Sequence, residues 1–166
     1  DSSDIVAWAT GITVQRGPMD IAQPANGNAS FGTDTDAIGA ANGNVVSFGD
    51  GGSAIVTFAV PIQNGTGFDF AIFENGFADN YIELAFVEVS SDGVNYFRFP
   101  AISEAPTSPQ YWNGSYSDCR FFNNLAGKYK ADYGTPFDLE ELNGEVGLNV
   151  NAITHVKLID VVGSCI

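Results

Sequence analysis

The chain has 166 residues, of which 45% are hydrophobic and 13% aromatic, a size and composition typical of one folded domain with a substantial core. This composition argues against intrinsic disorder. Lysine and arginine total 6 against 20 aspartates and glutamates, a formal charge of −14, and such an acidic surface repels phosphate backbones and anionic lipids. No apolar run approaches the roughly 20 residues needed to cross a bilayer. We expect a single domain over residues 1–166 that binds no nucleic acid and does not insert into a membrane.

Alternation of apolar and polar residues is frequent along the chain, whereas helical periodicity is nearly absent. Gly, Pro and Asn interrupt the chain about every dozen residues, a spacing typical of an all-β sandwich or barrel. The tract at residues 25–44 is rich in Gly and Asn and is expected to be loop. The predicted strands are residues 5–9, 45–48, 54–60 (ending before Pro61), 68–73, 81–90, 96–99 and 153–162.

A β-hairpin is the most clearly predicted local structure. Residues 81–90 are apolar on both faces, which indicates a central strand covered on both sides. The strand runs into Ser91-Asp92-Gly93, where Gly93 supplies the positive φ of a tight turn. Residues 96–99 then return along it.

Residues 101–134 are predicted to be a long loop with one helical turn near residues 123–126. A loop of this length in a compact domain usually carries function or is tied down. It is followed by a helix-start pattern, with Thr135 as N-cap, Pro136 at the first helical position and Asp138 completing a capping box. Because Gly144 suits a C-terminal cap, the predicted helix is short.

Two passages resemble a known kind of domain. Residues 86–96 read FVEVSSDGVNY, which is similar to the central hairpin of discoidin-like, galactose-binding-type β-sandwiches. Residues 154–161 read THVKLIDV, which resembles the late strand that pairs with this hairpin and ends the jelly roll.

A fuller set of motifs resembles a group of exported bacterial cell-surface proteins of the Bacteroidetes type. The motifs are VSFGDGG at 46–52, DFAIFENGF at 69–77, ELAFVEV at 83–89, FRFP at 97–100, LAGKY at 125–129 and GTPFDL at 134–139. The resemblance spans most of the chain and implies an exported, non-catalytic surface domain, without supplying a catalytic residue. With it, the expected fold is an all-β, jelly-roll-like β-sandwich with one short helix and a long loop.

The two cysteines, Cys119 and Cys165, leave two interpretations open. Either both are reduced, buried thiols, or they form a disulfide that ties the long loop to the C-terminal residues. We expect the disulfide, which implies an oxidising compartment. Since the first four residues, beginning with Asp1, lack signal-peptide features, we expect a processed chain that is extracellular or at the cell surface.

Carboxylates and amides cluster in two predicted loops. Calcium prefers such oxygen ligands on flexible, glycine-containing loops, although the chain lacks an EF-hand pattern. The alternative is that these residues are solvated and serve turn formation. The candidate ligands of one structural calcium ion are Asp34, Asp36, Glu74, Asn75 and Asp79.

An aromatic group within the long loop is the candidate ligand site. Tyr111, Trp112 and Tyr116 lie near Arg120 in sequence. Aromatic faces stack on the C–H side of sugar rings, while polar groups bind the hydroxyls, as in sites with a few convergent polar groups. The alternative is that the rings only pack the loop against the sandwich.

Enzymatic interpretations have little support in the sequence. The single histidine, His155, lies in an alternating strand beside Lys157, which suits an edge or exposed position. Glu83 and Glu88 are five residues apart in a predicted strand, so they face opposite sides and form no catalytic pair. A carboxylate-dependent glycosidase or lyase is the remaining enzymatic alternative. These glutamates, with Asp160 and basic residues, suit an internal ion-pair network instead.

The predicted function is therefore a non-catalytic extracellular binding module, with a carbohydrate as the first ligand class and calcium as a stabiliser. One alternative is a surface accessory of an outer-membrane nutrient receptor that captures a small molecule such as a corrinoid. Another is a structural or adhesive domain that contacts a second protein through an exposed apolar patch.

Overall fold

The computed structural model describes residues 4–78, 81–104 and 118–162, and regular structure in these ranges is almost entirely β-strand. The all-β class predicted from the alternating pattern is confirmed. The strands are β1 Gly11–Gln15, β2 Ser53–Ile62, β3 Phe70–Ile72, β4 Ala85–Ser90, β5 Phe97–Arg98, β6 Ile102–Ser103, β7 Phe122–Asn123, β8 Leu125–Ala126, β9 Thr135–Phe137 and β10 Ile153–Asp160. Single 3-10 turns cover Pro24–Asn26, Asp34–Ala37, Cys119–Phe121 and Leu139–Leu142. Within these ranges, every helical segment is too short to cross a membrane.

One large antiparallel sheet and two small ones make up the fold. In the large sheet the strand order is β1-β2-β10-β4-β5, and β8 also pairs with β4. The small sheets are β3 with β9 and β6 with β7. β10 pairs with β2 on one side and β4 on the other, so it lies at the centre of the large sheet.

The two faces of the large sheet differ in chemistry. Val156 of β10 lies opposite Val89 of β4, and both are fully buried. One residue along, Lys157 lies opposite Glu88, with Nζ 3.6 Å from Glu88 Oε2. Arg98 of β5 adds a second ion pair, 2.7 Å from Glu88 Oε1. The period-two alternation therefore separates an apolar inner face from a charged outer face.

A cluster of three phenylalanines joins the β3–β9 pair to the large sheet. Phe70 stacks on Phe137 with ring centroids 5.2 Å apart, and Phe99 lies 5.0 Å from Phe137. Phe99 also donates its backbone N–H to the carbonyl of Val87 in β4. Phe99 and Phe137 are buried, as are Leu139 and other residues of the same core.

The predicted hairpin is confirmed. β4 and β5 pair across a turn in which Gly93 has a φ of +75°. The Asp92 carboxylate accepts the backbone N–H groups of Asn95 and Val94, both at 2.8 Å. These hydrogen bonds hold the pKa of Asp92 well below its ordinary range.

Two predicted strands near the N-terminus are wrong. Residues 5–9 are not a strand, and β1 begins at Gly11 instead. Residues 45–48 also form no strand; Ser47 donates its backbone N–H to Phe31 rather than to a ladder. The strand predicted at 54–60 is longer than expected, because β2 continues through Pro61 to Ile62.

The prediction that a helix begins at Thr135 is also wrong. Thr135–Phe137 instead form β9 and pair with β3, since burial of Phe137 in the core outweighs the local capping signal. A short 3-10 turn follows at Leu139–Leu142, with Asp138 as N-cap accepting from the Glu140 N–H. The helical turn predicted at 123–126 is absent as well, because Asn124, with a φ of +52°, separates β7 from β8.

Candidate binding cavity

A large cavity lies along the apolar inner face of the sheet. Ile12 of β1, Val56 and Phe58 of β2 and Leu158 of β10 form its floor. Its volume is about 2330 Å³, well above the roughly 300–1,000 Å³ typical of small-ligand pockets. The cavity therefore has room for a ligand of several rings.

Aromatic side chains contribute much of the apolar wall. Trp8 packs against Phe73 with ring centroids 5.5 Å apart, and both residues line the cavity. Phe31 and Phe68 also line it, and their side chains are 68% and 72% exposed. Exposed rings of this size, grouped around a cavity, are a feature of binding surfaces.

Arg16 holds another part of the cavity lining in place. Its guanidinium donates to the carbonyls of Phe31 at 2.7 Å, Gly32 at 2.8 Å and Ser47 at 2.9 Å. These three residues belong to segments without strand structure, so one side chain supplies hydrogen bonds that a ladder would otherwise give. These hydrogen bonds hold the backbone of Phe31 at the cavity wall.

Four of the carboxylates that line the cavity, Asp50, Glu74, Glu83 and Asp160, act on one another electrostatically. Asp160, at the end of β10, accepts the backbone N–H of Gly51 at 3.0 Å. The next residue of the chain donates its N–H to the carbonyl at position 84, at 2.9 Å. This bond holds the segment that carries Glu83 beside the end of β10.

Two carboxyls of this group, Asp160 and Glu74, have raised pKa values. Burial and, to a smaller extent, the negative charges of Asp50 and Glu83 raise the pKa of Asp160 to about 6, although the hydrogen bond from Gly51 acts in the opposite direction. Burial likewise raises the pKa of Glu74, and Glu83 adds to that effect. Glu83 is thus the carboxylate that links the group, because its charge acts on both neighbours. Perturbed carboxyls in a cleft are typical of functional sites and also of structural charge clusters.

Gly127 supports the backbone of Glu83. A Cβ atom at this position would lie 1.8 Å from the Glu83 carbonyl oxygen. Gly127 also has a φ of +80°, in the left-handed region that favours glycine. Only glycine therefore fits at position 127, against the backbone of Glu83.

The first two candidate calcium ligands, Asp34 and Asp36, both contact other side chains of the protein. Asp34 and Asp36 lie on the 3-10 turn Asp34–Ala37. Asp36 accepts hydrogen bonds from the backbone and hydroxyl of Thr33, which lower its pKa, and Asp34 lies 3.9 Å from Arg16.

Of the other three candidate calcium ligands, Glu74 and Asn75 lie within the described residues. Glu74 accepts the backbone N–H of Gly76, and Asn75 is exposed. Among the residues that the structure describes, no three His, Cys, Asp or Glu side chains are grouped so as to hold a metal ion. Asp79 lies outside those residues, and calcium binding stays a prediction.

Most of the predicted ligand site also lies outside the described ranges, namely Tyr111, Trp112 and Tyr116. Arg120 is described, and its exposed guanidinium forms an ion pair with Asp118. This pairing lowers the pKa of Asp118 to about 2. Cys119 begins a 3-10 turn and is half-buried, whereas Cys165 is outside the described ranges, so the disulfide stays a prediction.

His155 lies away from the cavity, on the face of β10 that also carries Lys157. Its Nδ1 is 2.8 Å from the Thr154 hydroxyl, and its ring is packed against Gly93 and near Tyr96. The one imidazole of the chain therefore supports the hairpin and does not face the carboxylates.

Comparison with known proteins assigns no family to the chain. No family model matches it, no curated protein is similar to it in sequence, and no solved structure is similar to it in fold. The resemblance to discoidin-like and bacterial surface domains stays a prediction.

Sequence reasoning missed the cavity because its walls come from segments without periodicity. Phe31 lies in a tract that reads as loop, and Phe68 lies just before β3. A signal was present, however: large aromatic residues within glycine-rich loops need a partner surface, and the loops offer none locally.

Proposed function

We propose that this chain is an exported, non-catalytic binding module with a jelly-roll-like β-sandwich fold, and that it binds carbohydrate in the cavity. The observation that carries the proposal is the combination of aromatic rings and hydrogen-bonding groups on one cavity wall. Trp8 and Phe73 offer apolar faces, while Glu74 and Asn75 follow Phe73 directly in the chain and line the same space. Sugars present one C–H face and a rim of hydroxyls, which suits such a wall.

The layered fold is supported by the phenylalanine cluster. Phe70, Phe99 and Phe137 pack the β3–β9 pair over the large sheet, as two layers of a sandwich would pack. Export and the disulfide between Cys119 and Cys165 belong to the same proposal.

The test is a glycan-array screen of the purified protein, in calcium and again in EDTA. We expect specific binding that the Trp8→Ala variant loses and the Tyr133→Ala variant keeps, because Tyr133 is exposed and is not among the residues that line the cavity. Loss of binding in EDTA would add calcium to the site.

Trp112→Ala is the decisive comparison, because sequence analysis placed the ligand on that loop. Binding that survives Trp8→Ala and disappears in Trp112→Ala would assign the ligand to Trp112 and not to Trp8. No binding on any array in either condition would overturn the carbohydrate proposal.

A second candidate is capture of a large small molecule such as a corrinoid. The observation that favours it is the cavity volume of about 2330 Å³ with a mainly apolar floor. A corrinoid is coloured, so retention with the protein during filtration would show it directly, and its appearance in the filtrate would exclude this ligand.

A further inference from the structure

A continuous apolar stripe runs along the inner face of β2. Ala54, Val56, Phe58 and Val60 are every second residue of this strand, and all four line the cavity. The intervening residues, which the structure also describes, do not line it, because successive side chains of a strand point to opposite faces. The strand therefore presents a single row of apolar side chains to the cavity.

This stripe is buried at one end and open at the other. Ala54 is 1% exposed and Val56 is 9% exposed, whereas Val60 is 72% exposed. At the buried end β10 widens the floor, since Val156 lies opposite Val56, Leu158 lies opposite Ala54, and both line the cavity. The stripe is about 20 Å long, the length of an extended alkyl chain of roughly 16 carbons. One such chain fits with its end beside Ala54.

The proposed sugar-binding wall begins beside the open half of the stripe. Thr10 donates its backbone N–H to the carbonyl of Thr57 at 2.8 Å, one residue before Phe58. Trp8 is two residues from Thr10, so the two Cα atoms are within about 7 Å of each other, and the Trp8 ring packs against Phe73. A sugar ring on Trp8 and Phe73 therefore has the stripe as a neighbouring apolar surface.

The polar chemistry near the open end favours an uncharged head group. Gln63, three residues after Val60, is exposed and lines the cavity. Its amide donates to and accepts from hydroxyl groups equally well. The formal charge of −14 also repels anionic head groups such as carboxylates and phosphates. A neutral head group with hydroxyls fits both features.

We propose that the cavity binds a glycolipid: an uncharged sugar head group on Trp8 and Phe73, with one alkyl chain along the stripe from Val60 to Ala54. This inference rests on the proposed carbohydrate function and names the class of carbohydrate. Each methylene that covers the stripe removes apolar surface from water, which favours binding. A free oligosaccharide would leave that surface uncovered.

The test is isothermal titration of the protein with methyl β-glucoside and with dodecyl β-glucoside, at concentrations below micelle formation. The two ligands share one sugar and differ only in the alkyl chain. We expect the dodecyl compound to bind at least about a hundredfold more tightly, because most of its methylenes would be buried on the stripe.

Two variants of β2 locate the chain. Positions 59 and 60 are both exposed, but only Val60 lines the cavity, so neither substitution removes a buried side chain. Val60→Gln should weaken binding of dodecyl β-glucoside at least about fivefold and leave binding of methyl β-glucoside unchanged. Ala59→Gln should change neither. Equal losses in both variants, or a dodecyl preference that Val60→Gln keeps in full, would overturn the inference.

The remaining outcomes separate this inference from the proposed function. Equal binding of the two glucosides would overturn the glycolipid and leave the carbohydrate proposal standing. Equally tight binding of dodecyl dimethylamine oxide, which has the same chain and no sugar, would show that the head group is not recognised and would overturn the glycolipid as well. Binding of neither glucoside, with an array that is also silent, would overturn the carbohydrate proposal itself.

Discussion

Replacing Phe137 with alanine is expected to lower the free energy of unfolding by about 3–5 kcal/mol, the usual range for removing a buried phenylalanine ring. Phe137 is 1% exposed and contacts the rings of Phe70 and Phe99. Its removal leaves a cavity between the β3–β9 pair and the large sheet, and it also removes two ring pairs. Urea unfolding followed by circular dichroism measures the change.

A matched variant separates the effect of burial on stability from the effect of removing a phenylalanine ring. Phe68→Ala removes the same ring from a position that is 72% exposed, so its unfolding free energy should change by less than about 0.5 kcal/mol. If Phe137→Ala does not fold, Phe137→Leu supplies the same test with a smaller loss. Equal effects at positions 137 and 68 would contradict the core described above.

Replacing Asp160 with asparagine is expected to stabilise the protein at neutral pH. The pKa of Asp160 rises from an ordinary 3.8 to about 6 in the folded state, because the carboxyl is half-buried and lies near other negative charges. Its contribution to stability is therefore fully present below pH 3.8 and is lost as pH rises through 6. At pH 7 the charged carboxylate costs about 1–2 kcal/mol, once solvent screening of a partly exposed group is included.

The pH dependence distinguishes this effect from simple repacking. Asp160→Asn should unfold at higher urea concentration than the native protein at pH 7, and the difference should vanish near pH 4. The asparagine side-chain oxygen can still accept the Gly51 N–H. Asp92→Asn is the control with the opposite sign. Hydrogen bonds lower the pKa of Asp92 in the native protein. The variant should therefore be less stable than the native protein at pH 7, and the difference in unfolding free energy should shrink as pH falls. A pH-independent difference for Asp160→Asn would contradict the electrostatic account of the cavity.

Where the signal is local, the sequence predicts the fold well. The alternation in β2, β4 and β10 gives the all-β class, and Ser91-Asp92-Gly93 gives the hairpin, because turn chemistry and period-two burial act within a few residues. The capping pattern at Thr135 shows the limit. That pattern favours a helix, but pairing of β9 with β3 and burial of Phe137 decide the structure, and neither appears in the local sequence.

The sequence alone pointed to individual residues of the candidate site, but not to their common location. Glu74 was singled out as a calcium ligand, and Glu83 and Asp160 as members of an ion-pair network. Their common place in the cavity lining arises from contacts between distant segments, such as the hydrogen bond from the Gly51 N–H to the Asp160 carboxylate, 109 residues apart. The wall held by Arg16 is likewise non-local, since its partners are backbone carbonyls that carry no residue signature.

We expect the ligand to occupy the cavity over the inner face of the sheet. The most direct measurement is a titration of isotope-labelled protein, followed by NMR, with the glycan that binds most tightly on the array. We predict that the largest shifts fall on the Trp8 indole N–H and on backbone amides around Phe73 and Glu83, while amides of the hairpin turn at Gly93 stay unchanged. Shifts confined to residues outside the cavity lining, with the Trp8 indole unmoved, would contradict the account.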